Sequence, residues 1–207
     1  MMDRKEHWER IYSARPPVEV SWYQKEPALS LQLIQNSGLA KDAPIIDVGG
    51  GASVLVDRLL EQDYRRLAVL DISPTSLAYA QQRLGDRARH VEWFTADVTE
   101  FVAPHPFSLW HDRAVFHFLT SPEARKKYIE VLNKTLQPGG HLVLAAFAMH
   151  GPTKCSGLDV VRYDAGNLMN ELGDQFELVG ESGEMHVTPD NKEQLFAWFH
   201  LVRNECR

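Results

Sequence analysis

Ile45-Ile-Asp-Val-Gly-Gly-Gly-Ala-Ser53 is the stretch that decides the fold. A short apolar run ends beside a carboxylate and opens into three successive glycines. Beyond them, Ala52, Val56, Leu59 and Leu60 fall on one helical face. A buried strand that turns into a helix through glycines lets backbone approach a ligand without interference from Cβ atoms. The same glycines also suit a tight strand–helix connection, so the turn alone names no ligand. Two nucleotide motifs fail at once. The fingerprint G-x-G-x-x-G needs a third glycine where Val54 stands, and the lysine of a phosphate-binding P-loop is absent. Asp47, on the strand itself, requires a cationic or hydrogen-bonding partner, because an uncompensated charge among apolar residues is costly.

Outward from the turn, four more apolar runs alternate with helical patterns: Arg66–Ile72, His90–Ala96, Phe107–Ala114 and His141–Phe147. This alternation predicts an α/β fold, a mostly parallel sheet with helices on both faces. Ser73 and Pro74 supply an N-cap and a first-turn proline for a helix in which Leu77, Ala80, Gln81 and Leu84 follow at helical spacing. Another helix runs from Pro122 to about Leu136, with Tyr128, Ile129, Leu132 and Leu136 inward and Glu123, Arg125, Lys126 and Lys127 in solvent. Gln137-Pro-Gly-Gly140 is expected to stop that helix and turn the chain into the fifth strand. Then come a loop from Met149 to Leu158, a helix around Ala165 to Gly173, and an antiparallel pair, Phe176–Val187 and Leu195–Arg203. Helices around Lys5–Ser13 and Ala28–Asn36 make residues 1–43 a helical arm of the same domain, with residues 44–207 as its body.

Composition agrees with one globular domain. The chain has 207 residues, 44% hydrophobic and 24% charged, which excludes wholesale disorder and a fibrous structure. Lys and Arg number 22 against 28 Asp and Glu, a formal net charge of −6, which argues against binding driven by nucleic-acid phosphates. The two cysteines, Cys155 and Cys206, make no disulfide framework, and MMDRKEHWER lacks the apolar core of a signal peptide, so a reducing cytoplasm is expected. The longest apolar run, Leu142–Met149, falls far short of the roughly 20 residues that cross a bilayer. Neither a membrane nor a nucleic-acid partner is expected. Oligomeric state is not legible.

Further acids end the next strands. Asp71 closes the second, about twenty residues beyond the glycines, where a carboxylate can accept both hydroxyls of a ribose. Asp97 follows the third, where it can accept from an exocyclic amine such as that of adenine. Each aspartate alone is equally a helix cap or a turn residue. Together they line the carboxyl ends of successive strands, which is where open α/β sheets bind ligands.

The set Asp47-Val-Gly-Gly-Gly51, Val69-Leu-Asp-Ile-Ser73, Ala96-Asp-Val98, Leu109-Trp-His-Asp-Arg113 and Leu136-Gln-Pro-Gly-Gly-His-Leu142 resembles the class I S-adenosylmethionine-dependent methyltransferases. The resemblance implies their Rossmann-like sheet of seven strands, with an antiparallel C-terminal strand, and S-adenosylmethionine as cofactor. It implies cofactor contacts for Asp47, Gly49, Gly51, Asp71, Ile72, Asp97, Val98 and Asp112. A closer similarity is to small methyltransferases with an aromatic N-terminal arm, including those that methylate lysines of translation elongation factors, and to small bacterial enzymes. In His7-Trp-Glu-Arg-Ile-Tyr12 and Ser21-Trp-Tyr-Gln24 it places Trp8, Tyr12 and Trp22 over the methionine end of the cofactor, where an indole face attracts a sulfonium. Trp8 and Tyr12, spaced i and i+4, serve equally well to dock an amphipathic helix. Gly151-Pro-Thr-Lys-Cys-Ser-Gly157 and Val161-Arg-Tyr163 depart from the elongation-factor enzymes. A small molecule or a protein side chain, lysine included, is therefore the expected acceptor.

Methyl transfer is an in-line displacement whose rate rises mainly by alignment and exclusion of water, with a base needed for some acceptors. Candidates are Asp112 and His117, then His111, His150 and Cys155. Strand alternation puts Trp110 and Asp112 on one face and His111 and Arg113 on the other. The resemblance sets Asp112 against the methionine moiety or acceptor, although a helix cap or an ion pair with Arg113 also explains it. His117 has a pKa suited to catalysis, yet sits among apolar residues as core histidines do. No Cys/His spacing makes a metal site. A nucleotide-dependent oxidoreductase and a non-catalytic S-adenosylmethionine binder are the competing readings.

Overall fold

The computed structural model describes residues 3–205, which leaves Cys206 outside the described residues. Its first three strands are β1 (Ile45–Val48), β2 (Leu67–Asp71) and β3 (Val91–Thr95), followed by β4 (Phe107–Arg113) and β5 (Leu136–Phe147). A two-stranded hairpin, β6 (Lys154–Cys155) and β7 (Leu158–Asp159), precedes β8 (Phe176–Val187) and β9 (Glu193–Arg203). Seven strands form one sheet in the order β3-β2-β1-β4-β5-β9-β8. The first five run parallel and β9 pairs antiparallel with both β5 and β8, as the sequence predicts. β1 and β2 are buried along their whole length, which is why they read as unbroken apolar runs.

Among the described residues six α-helices surround the sheet: α1 (Arg4–Ala14), α2 (Ala28–Asn36), α3 (Leu55–Glu61), α4 (Pro74–Leu84), α5 (Pro122–Thr135) and α6 (Ala165–Leu172). The N-cap at Ser73 is the one expected, accepting from the backbone N–H of Ser76, and Ser121 caps α5 in the same way by accepting from that of Ala124. Alternation along the strands divides the core in two. Trp110, Leu142, Leu144 and Phe199 pack against Tyr128 and Leu132 of α5, while Leu109, Val143, Phe147 and Trp198 pack toward α2 and α3. Among the described residues no helix is long and apolar enough to cross a membrane.

Local expectations need correction in three places. Gln137-Pro-Gly-Gly140 does not separate helix from strand. β5 already begins at Leu136, opposite Phe107, and pairing resumes with Leu109 opposite His141. The proline and glycines bulge out of the ladder, with Gly139 at φ +72°. Ala52 lies in the turn before α3, and the helix buries Leu55, Val56 and Leu59 instead. Gln81 faces solvent, because α4 turns only Ser76, Leu77, Ala80 and Leu84 inward.

Candidate active site

A cavity opens at the carboxyl ends of β1, β2 and β4, beside the point where strand order reverses. Gly49, Asp71, Ile72, Asp97 and Val98 form its sheet side, Arg4, Trp8, Tyr12 and Trp22 close it from the arm, and Cys155 and Phe196 stand at the far wall. Asp47, Gly50, Ala52 and Ser53 line a smaller cleft that shares Trp22, Gly49 and Arg113 with the cavity.

Each glycine of the turn is required by its surroundings. Gly49 has φ +66°, and a Cβ there would meet Cγ2 of Val115 at 2.1 Å. At Gly51 a Cβ would stand 2.4 Å from both Asp71 Oδ2 and Ser76 Oγ. No side chain larger than hydrogen fits between this backbone and the acid of β2. From α4, Arg83 holds both oxygens of Asp57 at 3.0 and 2.7 Å and also donates to the carbonyls of Ala52 and Ser53, so the turn is tied on its outer side.

Asp71 accepts from the Ser73 N–H at 2.8 Å. Burial raises its pKa to about 6, against the pull of bonds from Ser73, Ser76 and Gly51. Asp47 has the partner the sequence required: its Oδ1 lies 2.7 Å from Nδ1 of His111, whose Nε2 lies 3.0 Å from Ser30 Oγ. Oδ2 of Asp47 is buried without a partner. Asp97 accepts twice from Thr99 at 2.8 Å and pairs with Arg4 at 2.8 Å, which fastens the start of α1 to the end of β3.

The arm is held at several points. Glu9 accepts from Ser73 Oγ, from Thr75 Oγ1 at 2.8 Å and from Thr75 N at 3.2 Å, so α1 crosses the start of α4. Trp8 meets Trp22 edge to face at 5.5 Å and Phe118 at 5.0 Å, and Tyr12 meets Trp22 at 6.0 Å. The same rings that dock the helix also line the cavity. His186 contacts the Ser21 carbonyl at 2.7 Å, and Gln24 donates to Glu184 at 2.9 Å. The hairpin turns through Ser156 at φ +50° and Gly157 at φ +78°, as a two-residue connection with left-handed residues requires, and this sets Cys155 into the wall.

Asp112 and His117 do not line the cavity. Asp112 is fully buried behind the wall and accepts from the N–H groups of Val115 and Phe116 and from Tyr128 Oη at 2.6 Å, which in turn accepts from Trp110 Nε1 at 2.9 Å. It is a cap and brace, and it forms no ion pair with Arg113. His117 is fully buried, and burial lowers its pKa to about 3, which leaves a neutral ring whose Nδ1 faces the Phe147 N–H. His150 is exposed outside the lining. Among the described residues no three metal-ligating side chains cluster. Sequence reasoning passed over Arg4, Arg113, Gln194 and Phe196, all of which line the cavity. For Arg113 a signal existed, because it shares the face of His111 at the end of a buried strand.

The family described as "Methyltransferase domain" matches residues 45–140. Nodulation protein S of Sinorhizobium fredii (strain NBRC 101917 / NGR234) is 28% identical over 123 residues, 59% of this chain and 55% of that protein. The chain spans about half the length of the curated relatives it matches. Among solved structures, the N-methyltransferase NodS from Bradyrhizobium japonicum WM9, in complex with S-adenosylhomocysteine, superposes with a TM-score of 0.73 at 19% identity, over 98% of this chain and 100% of that one. A SAM-dependent methyltransferase from Anabaena variabilis ATCC 29413 gives 0.75 at 16% identity, over 99% and 96%. The chain has the fold of these two structures, and its residues 45–140 match the methyltransferase-domain family.

Proposed function

We propose that the protein transfers a methyl group from S-adenosylmethionine to a small-molecule acceptor. One observation carries the reading: a buried acid, Asp71, ends β2 directly beside a three-glycine turn that admits no Cβ, under a roof of three aromatic rings. That combination fits a nucleoside bearing a sulfonium. The carboxylate meets ribose hydroxyls, the bare backbone permits close approach, and indole faces attract the positive sulfur. Ile72 and Val98 offer apolar contacts to an adenine, with Asp97 at its rim. The cofactor, when bound, supplies an electrophilic methyl group, so the protein's work is to bind, align and exclude water.

The lining supports an acceptor that arrives with a free electron pair. Asp97 is engaged by Thr99 and Arg4, burial pushes the Cys155 thiol up to about 11, and Asp112 and His117 stand behind the wall. Catalysis by positioning follows, and Asp112 acts through Val115 and Phe116 as a positioning residue. The small-molecule acceptor is favoured by a cavity roofed by the arm and walled by the hairpin, and by NodS, an N-methyltransferase. The reducing cytoplasm remains the compartment we propose.

Calorimetric titration with S-adenosylhomocysteine and with NAD tests the cofactor, and methyl release over a panel of amines, hydroxyls and thiols tests the reaction. Micromolar S-adenosylhomocysteine binding without NAD binding is expected. Tight NAD binding would refute the reading, and cofactor binding without turnover on any acceptor would favour the non-catalytic binder.

A further inference from the structure

We infer that Arg113 is a carboxylate receptor, set where the cleft under the glycine turn joins the main cavity. Its side chain leaves the end of β4 on the arm side of the sheet and lines both spaces. Nη1 donates to the Trp22 carbonyl at 3.0 Å, and the guanidinium lies over the Phe196 ring, 4.7 Å from its centroid. Those two contacts fix its position. Nε and Nη2 are buried without partners, so two of the fork's three nitrogens are unused. The acids that act on it from a distance bond to other groups: Asp47 through Oδ1 to His111, and Glu184 through both oxygens to Gln24 and Trp198. Burial brings its pKa down only to about 10, so it stays charged near neutrality.

A buried guanidinium with one carbonyl and one ring for company is poorly compensated. The partner that answers a planar fork is a planar pair of oxygens with negative charge, which is a carboxylate. Backbone geometry sharpens the point. Ala114, the next residue, takes φ +71°, an unusual conformation for a residue with a Cβ, at the place where the chain leaves β4 and lines the cavity.

Two ligands can bring a carboxylate here, and the proposed methyltransferase reading defines the first. It is the amino-acid end of the cofactor, for which the unpartnered Asp47 Oδ2 in the adjoining cleft stands ready to take the ammonium. The second is the acceptor, for which Gln194 Oε1, also buried without a partner and lining the cavity, would take an N–H or O–H. Both sources share one chemistry at Arg113.

Calorimetry on the full chain separates them. S-adenosylhomocysteine is compared with 5′-methylthioadenosine, which keeps the adenosine and thioether but lacks the amino-acid part. Benzoate and benzamide are titrated into protein saturated with S-adenosylhomocysteine. If the carboxylate is the cofactor's, Arg113→Met weakens S-adenosylhomocysteine at least tenfold and changes 5′-methylthioadenosine less than twofold. If it is the acceptor's, S-adenosylhomocysteine holds within twofold, wild-type protein binds benzoate but not benzamide, and the variant loses benzoate. Arg113→Lys keeps the charge without the fork and should show the same pattern at reduced size, so the test survives if the methionine variant does not fold. Equal weakening of both nucleosides, or no change in S-adenosylhomocysteine and benzoate, would overturn the inference and leave Arg113 as a tether for Trp22. Wild-type protein that binds neither nucleoside would refute the cofactor reading instead, and with benzoate also unbound it would refute both.

Discussion

Asp71 shows how a single residue couples burial to binding. Its carboxyl is desolvated, faces Ser73, Ser76 and the Gly51 N–H with Asp47 beyond, and has a pKa raised to about 6. A raised carboxyl holds its proton more tightly folded than unfolded. The sign follows: the unliganded protein loses stability as pH rises from about 4 to about 6 and levels off above. Ribose hydroxyls donate to the ionised form, so S-adenosylhomocysteine affinity should be full above pH 6 and fall below it. Titrations at pH 7.5 and 5.0 should differ severalfold, and Asp71→Asn should flatten that dependence while weakening binding by about 1–3 kcal/mol. Equal affinity at both pH values would remove Asp71 from the ribose. Gly49 makes a steric prediction. Gly49→Ala combines a left-handed φ with a 2.1 Å approach to Val115, so it should destabilise the fold by about 2 kcal/mol or more in urea unfolding.

At the scale of elements, the arm and the junction of β4 with α5 carry separable loads. If Trp22 acts on a sulfonium, Trp22→Leu should weaken S-adenosylmethionine more than the uncharged S-adenosylhomocysteine, by roughly 0.5–2 kcal/mol. Equal losses would mean that Trp22 only docks the arm through Trp8 and Tyr12. The junction is structural. Tyr128 Oη bridges Asp112 and Trp110 where all three are fully buried, so Tyr128→Phe strands the Trp110 donor and removes one of the bonds to Asp112. Stability should fall by about 2–4 kcal/mol, with S-adenosylhomocysteine affinity held within threefold. Large loss of affinity in a folded Tyr128→Phe protein would show that Asp112 reaches the cofactor after all.

For the whole molecule, the cavity joins pieces distant in sequence: α1 and Trp22 from the arm, the turn after β1, the ends of β2 and β4, the hairpin and the start of β9. A ligand there should therefore stabilise the chain globally. At a hundred times its Kd, S-adenosylhomocysteine contributes about 2.7 kcal/mol, which for a chain this size is a Tm rise of roughly 5–10 °C by calorimetry. NAD should give none. The glycine turn, the alternating strands, the cap at Ser73, the antiparallel end of the sheet and the acids at strand ends were all legible in the sequence, because each depends on local periodicity or backbone sterics. The bulge at Gln137–Gly140 was not, since a strand's start is set by the neighbour that pairs with it, here Phe107 of β4. Asp112 and His117 have chemistry that suits catalysis, and only packing decided that they stand behind the wall while Arg113, one residue along β4, faces the cavity. Tertiary structure had the last word there because burial, hydrogen-bond partners and pKa belong to the surroundings of a side chain, and those surroundings come from segments that no local pattern brings together.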